Sequence, residues 1–345
     1  MLDVVHELLA GALRERGLDG RTCHTRVTPI PPDGSTVEVE CSDAATAAGL
    51  AARLEGRGLA TRVRVVTLPA GPLPEGLIAA SSVADVRRTA AHTAELVTQV
   101  VYGDAVTPLK AEGEWFLVRV DDGYVGWIRS WHLVECSPGR RADFLRRSTH
   151  RVASNHAMAL SSPGAGALPV SDLVVGIPVV VAPGGGVEWA AVELPDGKPA
   201  FVPWASLEAH PAAGPPSREG LVTTGLRFLG IPYLWGGSTP KGFDCSGLVQ
   251  RIYRLHGRVL PRDADMQAGI GPERPPGDVG RLLPGDLVFF GRDPARITHV
   301  GMALPDRTFL HAYGQVIVSS LDPSHPRYLP ALARDWRLSR DPLCV

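Results

Sequence analysis

Two stretches of this chain repeat one another, and that repetition limits the fold more than any other feature. Val97-Thr-Gln-Val-Val-Tyr-Gly103 is matched by Val170-Ser-Asp-Leu-Val-Val-Gly176 at an offset of 73, and Glu114-Trp115 by Glu188-Trp189 at an offset of 74. Asp122-Gly-Tyr-Val-Gly-Trp-Ile128 is matched by Asp196-Gly-Lys-Pro-Ala-Phe-Val202, again at 74, so one inserted residue separates the blocks. Each copy is a series of short alternating runs broken by Gly, Pro and Asp, about 60 residues long, which predicts a small β-barrel rather than a sandwich. A pair of such barrels occupies the middle of the chain and leaves a separate unit on either side.

Composition supports that division. A chain of 345 residues exceeds one ordinary core, and about 100 to 200 residues per domain implies two to four units. Lys plus Arg number 35 and Asp plus Glu 36, a formal charge of -1, so nothing electrostatic calls for nucleic acid or an anionic membrane as partner. The expected ligand is neutral or zwitterionic. The cysteines, Cys23, Cys41, Cys136, Cys245 and Cys344, are scattered without Cys-x-x-Cys spacing, so neither a zinc site nor a disulfide scaffold is expected, and no cofactor is called for. The opening Met1-Leu-Asp-Val-Val-His-Glu-Leu-Leu9 lacks a cationic segment followed by an apolar core, and no run of about 18 uncharged apolar residues occurs. Free thiols and these patterns make a cytoplasmic protein the expectation.

Residues 1–69 read as helix, two strands, helix and strand. Leu2, Val5, Leu9, Ala12 and Leu13 share one helical face, Val37, Val39 and Cys41 alternate, and an alanine-rich helix over Asp43–Glu55 precedes a second alternating run from Thr61. Proline-rich breaks at Pro69–Gly76 and Pro211–Ser217 flank the repeats. The expected architecture is α+β and multidomain: a small α/β domain over 1–69, barrels over 78–137 and 147–210, and an α+β domain over 218–345.

Chemistry concentrates in the last domain. After Cys245 the apolar residues Leu248, Val249, Ile252, Tyr253 and Leu255 recur with helical spacing, and Gly257 stands where a stop is expected. Cys245 therefore sits in a first helical turn, where unpaired N–H groups and the helix dipole favour a thiolate and can also donate to an oxyanion. Thr298–Leu304 and Thr308–Tyr313 read as a hairpin, and centring it on Pro305 makes His299 and His311 direct cross-strand neighbours on one face, with Cβ atoms about 5 Å apart. Small Gly301 and Ala303 share that face and leave room for the helix end. Nucleophile, base and orienter are the minimum equipment for covalent acyl transfer. His299 would deprotonate Cys245, the thiolate would attack an amide carbonyl, and His311 would fix the tautomer of His299.

These residues resemble the NlpC-type cell-wall peptidases, a papain-like cysteine peptidase family. Pro232-Tyr-Leu-Trp-Gly-Gly237, Asp244-Cys-Ser-Gly247, Leu283-Pro-Gly-Asp-Leu-Val-Phe-Phe290, His299-Val-Gly-Met302 and His311 occur in family order over about 218–325. The turn, Trp and Asp-Gly-x-x-Gly-Trp spacing of the repeats resembles bacterial SH3 domains. The resemblance implies Cys245, His299 and His311 as the catalytic residues, with Tyr233 at the oxyanion site. Paired SH3 modules ahead of this domain resemble the γ-D-glutamyl-L-diamino-acid endopeptidases of cell-wall recycling. Those enzymes cut the murein peptide L-Ala-γ-D-Glu-diamino acid and require its free N-terminal L-Ala. That likeness implies substrate contacts from Tyr124, Trp235, Asp244, Ser246 and Asp263. Two departures stand out: Ala264 replaces a serine common in relatives, and Val97 aligns with a glutamate that helps bind the amine, Glu95 lying two residues earlier.

Other readings remain open at this level. Cys23, Cys41, Cys136 and Cys344 are expected as packing residues, Trp115, Trp127 and Trp189 as barrel core, and Asp263 serves equally well as a helix cap. An exported murein hydrolase anchored by its SH3 modules, and an inactive wall-peptide binding protein, are the alternatives to a recycling endopeptidase. The third-position diamino acid, the role of residues 1–69 and the oligomeric state are not legible.

Overall fold

The computed structural model describes residues 1–31, 35–164, 166–211, 214–274, 276–293 and 296–344. Ala212 and Ala213, inside the second proline-rich break, lie outside the described residues. The chain divides into two compact units: Met1–Ile78 with Arg87–Ala94 and Ala105–Pro138, and Ala79–Val86 with Glu95–Asp104 and Gly139–Val345.

The first unit opens with the expected helix–strand–strand–helix–strand order. The helix Leu2–Glu15 buries Val5, Leu8, Leu9 and Ala12, one stripe at helical spacing, and the helix Ala44–Gly56 starts where the Asp43 side chain accepts from Thr46 N–H. Both helices belong to a domain whose three-stranded sheet has Thr36–Cys41 at its centre, antiparallel to Thr25–Ile30 and parallel to Val63–Thr67. Val5, Leu9, Val37, Val39, Leu50 and Leu54 form its core. Cys23 and Cys41 are buried as expected, yet their sulfurs also come within 3.8 Å of each other.

Two SH3-like antiparallel sheets follow. In the first unit the strands Ala105–Glu112, Trp115–Arg119 and Val125–Arg129 form a meander, with Trp115 and Trp127 buried beside Leu109, Leu117 and Val125. The second sheet, wholly in the second unit, has seven strands in the order Pro169–Val174, His156–Leu160, Pro199–Pro203, Trp189–Glu193, Pro178–Ala182, His150–Val152, Leu207–Ala209. Here the repeat is imperfect. Trp115 and Leu117 face the core in the first copy, whereas in the second Ala190 and Val192 do so and Trp189 is only half-buried. A one-residue slip along a strand exchanges its two faces, so Trp189 turns away from the core that its sequence partner fills.

The last domain is built on a six-stranded sheet in the order Glu273–Arg274, Trp336–Arg340, Leu287–Phe290, His299–Ala303, Thr308–Tyr313, Gln315–Ser320. Ser217 caps the helix Arg218–Leu226 by accepting from Gly220 N–H. The helix Cys245–Leu255 is buried along almost its whole length, packing Leu248, Val249, Ile252 and Tyr253 against Leu287, Phe289, Val300 and Met302. Its N-terminus is thereby fixed beside the strand that carries His299.

Candidate active site

The tip of that helix is held by an ionic clamp. Asp244 is the N-cap residue, and one carboxylate oxygen accepts from Gly247 N–H at 2.7 Å while the other accepts from Gly236 N–H at 3.0 Å. Gly247 has to be glycine, because a Cβ there would lie 2.2 Å from the Gly237 carbonyl oxygen. Arg262, only 1 % exposed, pairs with both Asp244 oxygens at 3.0 and 2.6 Å and also donates to Ser246 Oγ and Thr98 Oγ1. Asp244 and Ser246, which the resemblance places in the substrate pocket, are thus buried and bonded inside the protein. Arg262 escaped the sequence reading, although its place two residues after Leu260 in a polar run was visible.

Cys245 is the first helical residue, as the spacing predicts, but its sulfur is not a resting thiolate. Burial, and next the Asp244 carboxylate beside it, push the thiol up to about 12. The N–H groups of Val300 and Ser246 and the Arg262 charge pull the other way without winning. The expectation from the helix dipole fails because the residue that caps the helix is itself an anion in a dry site.

His299 begins its strand opposite Phe290, and its Nε2 lies 2.9 Å from His311 Nδ1. The hairpin register differs from the expected one. Met302 pairs with Leu310 and Ala303 with Phe309, which centres the turn on Asp306 rather than Pro305. Asp306 and Arg307 both take left-handed conformations, with φ of 58° and 56°, and that tight turn moves the pairing by two positions. Parity is kept, so the histidines still share a face, but as diagonal neighbours. His311 sits opposite Gly301, where a Cβ would come within 3.3 Å of its own.

His311 is fully buried, and its Nε2 lies 3.0 Å from Ser319 Oγ. If His311 Nε2–H donates to Ser319, its Nδ1 must accept from His299 Nε2–H, which leaves His299 Nδ1 as a free lone pair for the thiol proton. Burial pushes His299 down to about 4, and burial with repulsion from His299 pushes His311 down to about 3. Both imidazoles are neutral at neutral pH. Ser319 carried no sequence signal, since its distance to His311 depends on the next hairpin, which pairs His311 with Ile317.

Tyr233 lies half-buried near Cys245, anchored by its N–H to the Gly314 carbonyl at 2.9 Å. Burial, and after it the nearby Cys245 and Asp244, push its phenol up, so the hydroxyl stays a donor. Trp235 is 63 % exposed, and its indole N–H donates to Glu95 Oε1 at 2.9 Å. Val97 is buried beside that segment. Gln99 Oε1 accepts from Ser238 N–H and Thr239 Oγ1, tying the same segment to the loop before Cys245. Asp263 occupies the cap position of the short helix Ala264–Gln267 but makes no side-chain cap hydrogen bond. Tyr313, unremarked in the sequence, is exposed with its ring 6.2 Å from that of His299. Tyr124, which the resemblance implies as a substrate contact, belongs to the other unit. It is 3 % exposed, and its hydroxyl accepts from Arg88 at 3.3 Å.

A thiol on a buried helix tip, beside a strand bearing an imidazole backed by a second one, defines the papain-like thiol hydrolases as the class. Residues 230–333 match the NlpC/P60 family and residues 86–133 the bacterial dipeptidyl-peptidase SH3 domain. The chain is 30 % identical over 251 residues to dipeptidyl-peptidase 6 of Lysinibacillus sphaericus, covering 70 % of this chain and 89 % of that protein. It is 29 % identical over 233 residues to the gamma-D-glutamyl-L-lysine dipeptidyl-peptidase of Bacillus subtilis strain 168, covering 62 % and 71 %. The crystal structure of an NlpC/P60 family protein from Bacillus cereus ATCC 10987 has the same fold, with a TM-score of 0.67 at 23 % identity over 78 % of this chain and 99 % of that one. The chain belongs to the NlpC/P60 family and is a cysteine peptidase of the dipeptidyl-peptidase VI-like kind.

Proposed function

We propose that this peptidase cleaves the γ-D-glutamyl–L-diamino acid bond of murein peptides that carry a free N-terminal L-Ala, and that it does so in the cytoplasm on peptides released during wall turnover. The observation that carries the reading is the hydrogen-bonded His299–His311 pair beside the helix bearing Cys245, in a chain related to enzymes named for that bond. Both resting partners are neutral, so the proton moves as the bond forms. Cys245 Sγ attacks the γ-carbonyl carbon while its proton passes to His299 Nδ1. The oxyanion is met by the Cys245 N–H and the Tyr233 hydroxyl. Collapse expels the diamino acid's amine, which takes the proton from His299, and a water activated by the same nitrogen clears the thioester. His311 and Ser319 hold the ring in the tautomer this sequence requires.

Free-amine selectivity is assigned to Asp263 and to Glu95, whose carboxylate holds the indole of the exposed Trp235. One incubation tests the whole reading: purified protein with L-Ala-γ-D-Glu-L-Lys, its N-acetylated counterpart and intact sacculi. Release of L-Ala-D-Glu from the free-amine peptide alone is the expected result. Equal cleavage of the acetylated peptide would remove the selectivity, and solubilised sacculi would move the enzyme to the intact wall. Cys245→Ala should abolish turnover, and retained activity would reject the nucleophile.

A further inference from the structure

The N-terminal domain contains a pair of thiols that the peptidase chemistry does not use. We propose that Cys23 and Cys41 are a redox modification site, a dithiol that peroxide converts to an intramolecular disulfide. The argument begins with the strand register. Thr25 pairs with Cys41, which brings Cys23, in the turn two residues before Thr25, alongside Cys41. Their sulfurs stand 3.8 Å apart, against about 2.05 Å in a disulfide. Cys23 lies in the turn before its strand, its N–H bonded to the Asp19 carbonyl, and the next residue, His24, exchanges hydrogen bonds with Ser42, so the two segments are held together beside the sulfurs.

The two sulfurs stand in different surroundings. The Ser42 hydroxyl, which accepts from His24 N–H at 2.8 Å, points at Cys23 Sγ from 3.9 Å. Cys41 Sγ lies closer to a carbonyl acceptor, 3.3 Å from the Asp43 oxygen, than does Cys23 Sγ, 3.8 Å from the His24 oxygen. In support, the contact between the two sulfurs, opposed by burial and helped by Ser42, holds the Cys23 thiol down to about 7, while the same contact and burial push Cys41 up. Cys23 is therefore the sulfur that reacts first and Cys41 the one that resolves. Both cysteines are fully buried, and a cavity of about 500 Å³ lined in part by Thr22, Ser42, Asp43 and Arg119 adjoins the residue before Cys23 and the residue after Cys41, so a local opening there admits peroxide to the pair.

The reaction balances without a further reagent. The Cys23 thiolate attacks one oxygen of hydrogen peroxide, forming an S–O bond, breaking the O–O bond and releasing hydroxide. Cys41 sulfur then attacks the sulfenic sulfur, the S–S bond forms, the S–O bond breaks, and hydroxide leaves with the proton from Cys41 as water. Two thiols lose two electrons to one peroxide, and two waters result. The new bond joins positions 18 apart and ties the entry of the first strand to the end of the second, next to the Ser42 carbonyl that accepts from Arg119.

The test uses the full-length protein, treated with hydrogen peroxide, alkylated without reduction and digested with trypsin. Arg21, Arg26 and Arg53 place the two cysteines on separate tryptic peptides, so a linked pair is diagnostic. We expect the Cys23–Cys41 linked peptide, lost on reduction. In Cys41→Ser, Cys23 should be trapped as a dimedone adduct after peroxide. In Cys23→Ser, Cys41 should remain alkylatable. Absence of the linked peptide while the exposed Cys344 is oxidised overturns the proposal, as does Cys41→Ser that stays folded by circular dichroism yet gives no dimedone adduct.

Discussion

Arg262→Met is the most informative single change in the peptidase domain. It keeps the apolar stem of the side chain but deletes the two ion-pair contacts to Asp244, at 2.6 and 3.0 Å, and the donors to Ser246 and Thr98. Among the described residues Asp244 then keeps Gly236 N–H, Gly247 N–H and the Ser246 hydroxyl to hold its buried charge. Breaking a buried pair from one side costs about 3–5 kcal/mol, because the desolvated partner is stranded. That is a large part of the ~5–15 kcal/mol a domain has in total. Loss of the Arg262 charge also leaves Cys245 with less to oppose Asp244, so its thiol rises further and turnover falls. The assay is urea unfolding followed by residual peptidase activity and by hydrogen exchange of the 236–247 segment, for wild type, Arg262→Met, Asp244→Asn and the double variant. Asn still caps the helix and carries no charge, so the double variant should be more stable than Arg262→Met alone, with a coupling of about 1–3 kcal/mol. Unchanged unfolding in Arg262→Met, or strictly additive losses in the double variant, would refute the view that this ion pair holds the nucleophile's helix.

Four further outcomes follow from the same geometry. With His299 down at about 4, the acid limb of kcat/KM should fall near pH 4, and a limb at pH 6 to 7 would show that the base is not desolvated in the free enzyme. Because His299 and His311 bind protons less readily folded than unfolded, their contribution to stability is complete above the ordinary histidine value of 6.5. It is lost as pH falls through about 4 and 3, so His311→Asn should flatten that part of the stability profile. Ser319→Ala orphans His311 Nε2 and should lower kcat about tenfold with KM little changed, with Ser319→Thr restoring it. Gly301→Ala sets a Cβ 2.7 Å from the Phe309 ring and 3.3 Å from His311 Cβ, and should destabilise the domain by about 1–3 kcal/mol while weakening the histidine pair, as histidine NMR shifts would report.

Much of this was legible in the amino-acid order because it depends on local periodicity. The helix Cys245–Leu255 follows from its apolar spacing, and the shared face of the two histidines from strand parity, which survives a shift of the turn by one residue. What escaped depends on distant pairing. Arg262 meets Asp244 and Thr98 across 18 and 164 positions, and Ser319 meets His311 only because a second hairpin folds back. Cys23 and Cys41 look unrelated until the strand register brings them alongside each other. The outward turn of Trp189 and the buried ring of Tyr124 show the reverse: a shared motif fixes spacing, but the neighbours decide which side is dry.

The anion that caps the nucleophile's helix has a further effect on the enzyme between turnovers. A sulfur that keeps its proton until a substrate arrives is a poor target for stray electrophiles, and burial keeps both imidazoles neutral despite the Asp244 charge near His299. The unoccupied enzyme is in this sense chemically quiet, and iodoacetamide should inactivate it slowly at neutral pH. Its reactivity is awakened by the same peptide it consumes.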